Sequence, residues 1–317
     1  METVLVTGGA GFIGSHVCDR LLLEGQRVVC IDNLNDYYNP NIKKKNVKHN
    51  LRNKNFIFYK LDILNFKKLD KLFSKYNFDK VVHLAARAGV RASIDNPFIY
   101  EETNVRGTLN LLELARKYDV KNFVFGSSSS VYGANKKTPF SESDEVNEQV
   151  SPYAVTKRAG ELLCSNYHNL YNLNITCLRF FTVYGPRGRP DMAPLKFTHR
   201  IFNKLPIDMY GDGTSARDYT YISDIVDGIV FALNKNLSFE IINLGDSNPI
   251  TLKDFISIIE KSVDRKAVIR KEPMPKGDVL ITYADIRKAK RLLGYKPKIK
   301  ISEGIRRLIE WYKDERN

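Results

Sequence analysis

The sequence has only four cysteines among 317 residues, and no two of them form a C-x-x-C pair. Each lies in an apolar stretch, as expected for buried free thiols in a reducing compartment. No apolar run approaches the roughly 20 residues that span a bilayer, and the first residues do not show a signal-peptide pattern. We therefore expect a cytoplasmic protein with no membrane association.

Acidic residues are fewer than basic ones, 36 against 50, which gives a formal net charge of +14. Such an excess can indicate binding to nucleic acid. The lysine clusters at 43–48, 67–71 and 287–300 lack a repeated aromatic partner, however, and no DNA- or RNA-binding signature is present. We expect a lysine-rich exterior and no nucleic-acid partner, although a small polyanionic substrate is compatible with the charge.

Short apolar stretches alternate with helical segments, and 43% of the residues are hydrophobic. This alternation predicts an α/β fold, a doubly wound (Rossmann) parallel sheet with helices on both faces. The predicted strands are 3–7, 27–31, 56–60, 81–85, 123–127, 175–180 and 241–244, and the clearest helices are 104–118 and 153–171.

A glycine-rich turn follows the first predicted strand. Gly8, Gly11 and Gly14 lie between this strand and a helix that begins near Phe12 and Ile13. Glycines let the backbone approach a pyrophosphate, and the start of the helix supplies free N–H groups. The second strand ends at Asp32 and Asn33, where a carboxylate can accept hydrogen bonds from both ribose hydroxyls. This arrangement predicts NAD as the cofactor; we expect no metal.

Tyr153 and Lys157 are four residues apart on a predicted helix and therefore share one face. A nearby ammonium lowers the pKa of a tyrosine, whose usual value is about 10. A tyrosine tuned in this way can take a proton from a substrate hydroxyl and return it. Ser128, at the end of the preceding strand, is expected to reach the same hydroxyl. These three residues are the catalytic candidates.

Ligands of such sheets bind beyond the carboxyl ends of the strands. The further candidates at strand ends are Asp62 and Ile63 beside the adenine, Leu84, Ala85, Ala86 and Arg87 beside the nicotinamide half, and Phe181 and Thr182 after the sixth strand. After Phe181 the rhythm breaks, with glycine and proline clustered through 185–194. We expect an NAD-binding domain of residues 1–182 plus 217–247 and a smaller mixed α/β substrate-binding domain of residues 183–216 plus 248–317.

The chain resembles the extended short-chain dehydrogenase/reductase family over essentially its whole length. The motifs that carry the resemblance are TGGAGFIG at 7–14, HLAA at 83–86, NVRGT at 104–108, SSSSVYG at 127–133, YAVTK at 153–157 and RDYTYISD at 217–224. The resemblance implies catalysis by Ser128, Tyr153 and Lys157, with Lys157 also holding the nicotinamide ribose. It further implies that Asn104 supports the active site and that Arg217 binds a nucleotide diphosphate.

Within that family, the chain is similar to the UDP-glucuronate 4-epimerases. The similarity rests on DNLNDYYN at 32–39, AGVRASIDNP at 88–97 and TVYGPRGRPDMA at 182–193. It implies NAD-dependent inversion at C4 of a UDP-hexuronic acid through a 4-keto intermediate. A planar guanidinium binds a carboxylate through two parallel bonds, so Arg189, together with Thr182, is the expected clamp for the acid group. Arg91 is a weaker candidate for the same pocket.

Two other functions remain open. A UDP-glucose 4-epimerase or another NAD-dependent nucleotide-sugar epimerase would need no carboxylate clamp, and a nucleotide-binding regulatory protein would keep the fold without turnover. Related dehydratases and decarboxylases resemble this chain but carry carboxylates where Ser129 and Ser130 stand. The serines therefore favour chemistry confined to C4.

One departure from the family pattern lies at 274–278, where an arginine or glutamine that often contacts the diphosphate is missing. Asp278 remains a candidate for contact with the uridine ribose. Helices 104–118 and 153–171 carry apolar faces that, in this family, often pair across a two-fold axis. We therefore expect a homodimer, although burial within one subunit would give the same pattern.

Overall fold

Thirteen strands organise the fold in the computed structural model, which describes residues 1–273 and 280–315. They are β1 (Thr3–Thr7), β2 (Arg27–Asp32), β3 (Phe56–Lys60), β4 (Lys80–His83), β5 (Asn122–Ser128), β6 (Ile175–Phe180), β7 (Thr182–Tyr184), β8 (Ile207–Tyr210), β9 (Ala216–Tyr221), β10 (Phe239–Leu244), β11 (Pro249–Thr251), β12 (Ile269–Glu272) and β13 (Ile281–Thr282).

Twelve α-helices connect or cover these strands in the described part of the chain. They are α1 (Phe12–Leu23), α2 (Pro40–Lys48), α3 (Phe66–Tyr76), α4 (Val90–Asp95), α5 (Pro97–Glu101), α6 (Gly107–Lys117), α7 (Pro152–Tyr171), α8 (Ala193–Phe202), α9 (Ile222–Leu233), α10 (Leu252–Val263), α11 (Arg287–Leu293) and α12 (Ile301–Asp314). No helix in residues 1–273 and 280–315 has both the length and the apolar character needed to cross a bilayer.

Seven parallel strands form the central sheet in the order β10-β6-β5-β4-β1-β2-β3. From β1 the chain first winds outward through β2 and β3, and then crosses back to β4 on the other side of β1. The direction therefore reverses between β1 and β4, where Thr7 is paired with His83. A crevice opens at such a switch point, beyond the carboxyl ends of the strands, and receives the ligand of a doubly wound sheet.

The sheet separates two apolar cores, because successive side chains of a strand point to opposite faces. Val4 and Val6 of β1 pack in one core with α1 and α9, whereas Leu5 packs in the other with α3, α6 and α7. All four cysteines are buried free thiols, as expected from their apolar surroundings. The predicted doubly wound α/β fold is confirmed.

The later strands form two small sheets beside the main one. In one, β9 pairs with β7, β11 and β13; in the other, β8 pairs with β12. The buried carboxylate of Asp218 in β9 fastens this region by accepting hydrogen bonds from the backbone N–H groups of Asp246, Ser247 and Ala284. The chain between these sheets returns to the main sheet through α9 and β10.

Candidate active site

A cleft of about 450 Å³ lies at the carboxyl ends of the central strands. It brings together residues that are far apart in the sequence and that were expected from strand ends, from the glycine turn, from the spacing of Tyr153 and Lys157, or from the resemblance to the family. The expected residues that line it are Gly8, Gly11, Phe12, Ile13, Gly14, Asp32, Asn33, Ile63, Leu84, Ala85, Ala86, Arg87, Ser128, Tyr153, Lys157, Phe181, Thr182 and Arg189.

The glycine turn leaves no room for side chains where it meets the cleft. A Cβ added to Gly14 would lie 2.3 Å from the carbonyl oxygen of Gly8, and one added to Gly8 would lie 2.7 Å from the backbone nitrogen of Ala85. Gly8 also has a φ of +67°, a conformation that favours glycine. No side chain caps the start of α1 at Gly11. Its first N–H groups are therefore suited to an anion, as a dinucleotide pyrophosphate requires.

Asp32 ends β2 at the edge of the same cleft. Its carboxylate accepts hydrogen bonds from the backbone N–H groups of Ala10, at 3.2 Å, and Leu34, at 2.8 Å. Burial raises the pKa of Asp32, while these bonds and the charge of Lys43 act against that rise. A carboxylate has about four acceptor positions, so Asp32 can accept further bonds from ribose hydroxyls. The glycine turn and Asp32 together fit NAD.

Ser128 and Tyr153 meet within the cleft. Burial raises the pKa of Tyr153, and this effect outweighs the hydrogen bonding with Ser128 and the charge of Arg189, which both act to lower it. The ring of Tyr153 packs edge-on against Tyr100, with 6.3 Å between the ring centroids. Ser151, at the start of α7, fixes this end of the helix by accepting a hydrogen bond from the backbone N–H of Ala154.

The expected influence of Lys157 on Tyr153 is wrong for this structure. The ammonium of Lys157 donates to the backbone carbonyl of Gly126 at 2.6 Å and lies over the ring of Phe125. Burial lowers the pKa of Lys157 to about 8. The pKa of Tyr153 is raised, not lowered, and the cation that acts on it is Arg189. The spacing of four residues correctly places both side chains at the cleft, but it does not reveal what surrounds them.

Asn104 does not line the cleft but connects two elements that do. It lies in a π-helical turn, Glu102–Arg106, of the kind often found at functional sites. Its side-chain oxygen accepts from the backbone N–H of Arg87 at 2.8 Å, and its amide group donates to the Arg87 carbonyl and to Thr156 on α7. Asn104 therefore ties the loop after β4 to the helix that carries Tyr153.

A buried chain of hydrogen bonds reaches Asn104 from the glycine turn. The hydroxyl of Thr108 donates to the Asn104 carbonyl, so it must accept from Nε2 of His83. Nδ1 of His83 then accepts from Thr7, whose oxygen accepts from the backbone N–H of Ala85. Burial lowers the pKa of His83 to about 3, which keeps the ring neutral in this chain of donors and acceptors.

Arg189 reaches the cleft from the loop that follows β7. Its guanidinium is paired with Asp191, two residues later, and lies over the ring of Tyr37. Thr182, the first residue of β7, lines the same cleft. The planar cation of Arg189 therefore shares the cavity with Ser128 and Tyr153. A guanidinium in this position is suited to bind an acid group of a ligand.

Four expected residues in the described part of the chain are not among those that line the cleft. The carboxylate of Asp62 accepts from Asn33 and from the backbone of Leu64, Asn104 lies behind the wall, and exposed Arg91 stacks over Tyr210. Arg217 lies in β9 and donates to the carbonyls of Ala216 and Leu280. Asp278 lies outside the described residues. The expected role of Arg91 in the pocket is therefore not supported by its position.

Several lining residues were not expected from the sequence. The segment between β2 and α2 contributes Asn35, Tyr37 and Tyr38, helix α2 contributes Lys43, and the loop after β7 contributes Asp191. Lys43 donates to the side chain of Asn35 at 2.8 Å. Four of the five, all but Lys43, belong to the motifs at 32–39 and 182–193. The resemblance to the family drew attention to these two motifs, but it did not indicate that their side chains contact each other.

The sequence matches the NAD-dependent epimerase/dehydratase family over residues 4–245. The chain belongs to this family. A relative from Thermodesulfobacterium geofontis, named UDP-glucuronate 4-epimerase, is 48% identical over 315 residues, which cover 99% of this chain and 97% of that protein. The family assignment confirms the resemblance found in the motifs, and the glycine turn and Asp32 agree with an NAD-dependent member.

Two solved structures of relatives have the same fold. The UDP-glucuronic acid 4-epimerase of Bacillus cereus, in complex with UDP-glucuronic acid and NAD, has a TM-score of 0.93 and 39% identity and covers 99% of both chains. The UDP-glucose 4-epimerase of Thermotoga maritima, solved with UDP-glucose, has a TM-score of 0.91 and 33% identity and covers 99% of this chain and 100% of its own. The fold is thus shared by epimerases of acid and of neutral sugars.

Proposed function

We propose that this protein is an NAD-dependent epimerase that interconverts UDP-glucuronate and UDP-galacturonate at C4. The observation that carries the proposal is the position of Arg189, which lines the same cleft as Ser128, Tyr153 and the glycine turn. The relatives named for UDP-glucuronate, at 48% and 39% identity over almost the whole chain, support the same substrate.

Tyr153 is the general base of the reaction. It takes the proton of the sugar 4-hydroxyl while Ser128 forms a hydrogen bond with the same oxygen. It returns the proton after the 4-keto sugar has rotated in the site and presents its opposite face. Bound NAD supplies a hydride acceptor for C4 and a positive charge that favours the tyrosinate. Lys157 would hold the ribose of bound NAD, and Asn104 ties the loop after β4 to helix α7.

Arg189 and Thr182 hold the acid group of the sugar. When C4 is a ketone, the carboxylate on C5 is β to it, so CO₂ is lost readily if the breaking bond aligns with the carbonyl π-system. A bidentate clamp on the carboxylate keeps that bond out of alignment. The turn after β5 contains Ser129 and Ser130, where related dehydratases and decarboxylases carry carboxylates. A serine hydroxyl does not replace a carboxylate as a base for proton transfers beyond C4. The site therefore favours return of the hydride over elimination or decarboxylation.

Replacing Arg189 by alanine is expected to lower kcat/KM for UDP-glucuronate by on the order of a hundredfold, because a desolvated charge pair loses one partner. The value for UDP-glucose should change little. Arg187 provides a matched control, since it lies in the same loop but pairs with Asp19 at 2.7 Å. Arg187→Ala should retain the preference for the acid sugar. An unchanged kcat/KM of Arg189→Ala for UDP-glucuronate rejects this substrate assignment.

A UDP-glucose 4-epimerase is the second candidate, supported by the similarity to the Thermotoga maritima enzyme. A neutral sugar has no partner for the guanidinium of Arg189. Steady-state kinetics of the unmodified protein with the two UDP-sugars separate the candidates. A higher kcat/KM for UDP-glucose than for UDP-glucuronate supports the neutral-sugar enzyme.

The protein is also proposed to be a homodimer that pairs through α6 and α7. Leu112 of α6 is buried within the subunit, whereas Leu109, Val155 and Leu162 are 38%, 52% and 55% exposed. Burial within one subunit therefore explains only part of the apolar pattern on these helices. Light scattering should give the mass of a dimer for the unmodified protein and of a monomer for Leu162→Glu. A monomeric unmodified protein contradicts this assembly.

A further inference from the structure

The guanidinium of Arg189 is already bonded along one edge. Its Nε donates to Oδ1 of Asp191 at 3.0 Å, and its Nη2 donates to Oδ2 of the same carboxylate at 2.5 Å. These two parallel bonds are the geometry in which arginine and a carboxylate bind most specifically. The pair forms within a three-residue stretch of one loop, so the loop itself sets the direction of the guanidinium.

Tyr37, in the segment between β2 and α2, also contacts this pair. Its ring lies under the guanidinium, with 5.2 Å between the ring centroid and the central carbon of Arg189. Its hydroxyl donates to Oδ2 of Asp191 and accepts from Nη2 of Arg189, both at 3.3 Å. A Cβ on Gly89 would lie 2.5 Å from that hydroxyl, so Tyr37 is closely packed against the loop that precedes α4.

These contacts account for three of the five N–H bonds of Arg189, the one on Nε and the two on Nη2. Among residues 1–273 and 280–315, no hydrogen bond is formed by Nη1, and Arg189 lines the cleft. The Nη1–Nη2 end of a guanidinium can bind a second carboxylate while the Nε–Nη2 edge binds the first. An acid substrate can therefore be accommodated without displacing Asp191, at the cost of the weaker contact to Tyr37.

We propose that Asp191 is a positioning residue that makes the site specific for acid sugars, by holding one edge of Arg189 so that its other end receives the sugar carboxylate. Tyr37 assists by packing under the guanidinium. This inference rests on the proposed function, because it assumes that Arg189 binds the carboxylate. It assigns a role to two residues that have no part in the hydride or proton transfer.

A competing arrangement predicts the opposite sign. If Asp191 merely occupied the guanidinium until substrate arrived, its carboxylate would compete with that of the sugar, and removing its charge would strengthen substrate binding. The side chain of Asp191 is 41% exposed, so water screens its repulsion of a second carboxylate. Since the two carboxylates use different parts of one guanidinium, positioning is the role that the geometry favours.

The test is the kinetics of Asp191→Asn with both UDP-sugars. We expect KM for UDP-glucuronate to rise about tenfold, the usual effect of losing a hydrogen bond to a charged group, with kcat changed by less than about threefold. KM for UDP-glucose should not change. Tyr37→Phe, which keeps the ring and loses both hydroxyl bonds, should raise KM for the acid sugar by a smaller factor. Asp95→Asn, a charge loss on exposed α4, is the control.

A double-mutant cycle with Arg189→Ala shows whether Asp191 acts through Arg189. In that background, Asp191→Asn should have no further effect on KM for UDP-glucuronate. The inference is overturned if Asp191→Asn lowers or does not change this KM, or if the two substitutions act additively. If the unmodified protein does not turn over UDP-glucuronate, the proposed function itself fails. That result is distinct from normal turnover with an insensitive Asp191.

Discussion

Replacing Tyr153 by phenylalanine is expected to lower kcat by about 10²–10⁴-fold, the range that general acid–base catalysis contributes. The substitution removes one oxygen from a ring that is otherwise held by packing against Tyr100. Binding of NAD and of the UDP-sugar should change by no more than a few-fold, because the glycine turn, Asp32 and Arg189 are untouched. Stopped-flow kinetics and calorimetric titrations measure the two effects separately.

Tyr100→Phe is the matched control for this substitution. Its hydroxyl donates to the carbonyl of Ala88 and, unlike Tyr153, Tyr100 is not among the residues that line the cleft, so it is not placed to act as the base. Burial raises the pKa of Tyr100 to about 12. Its kcat should remain near that of the unmodified protein. Burial also raises the pKa of Tyr153. Because a base must be deprotonated to act, kcat/KM should rise with pH, and this rise should be missing in Tyr153→Phe. If Tyr153→Phe has a normal kcat, Tyr153 is not the general base.

Replacing Glu161 by alanine is expected to lower the free energy of unfolding by about 3–5 kcal/mol, the usual result of removing one partner of a buried ion pair. Glu161 is fully buried and binds Arg179 through two bonds, both of 2.8 Å. Its carboxylate also accepts from Ser127, which precedes the catalytic Ser128, and from Arg158. Without Glu161, the 1%-exposed Arg179 would carry an uncompensated charge between β5 and β6.

Urea unfolding followed by circular dichroism measures this loss. Glu303→Ala is the control, because Glu303 forms its ion pairs with Arg306 and Arg307 on the exposed face of α12, where water and salt weaken them. It should change the unfolding midpoint little. If Glu161→Ala unfolds at the same urea concentration as the unmodified protein, the Arg179 charge must be compensated by other groups.

The parts of the site that depend on local sequence could be predicted. The glycine turn follows from the sequence of strand, glycines and helix, and Asp32 follows from its place at the end of β2. Tyr153 and Lys157 share a helix face because of their spacing of four residues. In each case the geometry of one element, or of the sheet edge, is enough to place the side chain.

The remaining features depend on how distant loops meet. Nothing in the sequence indicates that Tyr37 touches Asp191 across 154 positions of the chain, or that Arg91 turns towards Tyr210. The pKa of Tyr153 was mispredicted for a related reason. Spacing along a helix gives the distance between two groups but not their burial or their alternative partners, and Lys157 bonds to the Gly126 carbonyl instead.

The central claim is that this cleft inverts C4 of a UDP-linked acid sugar. The most direct measurement is proton NMR of the purified protein incubated with NAD and UDP-glucuronate. The account predicts that the signals of UDP-galacturonate grow to a constant ratio with those of UDP-glucuronate, without net reduction of NAD and without UDP-pentose. An unchanged spectrum, or one in which a decarboxylated sugar accumulates as the main product, would contradict it.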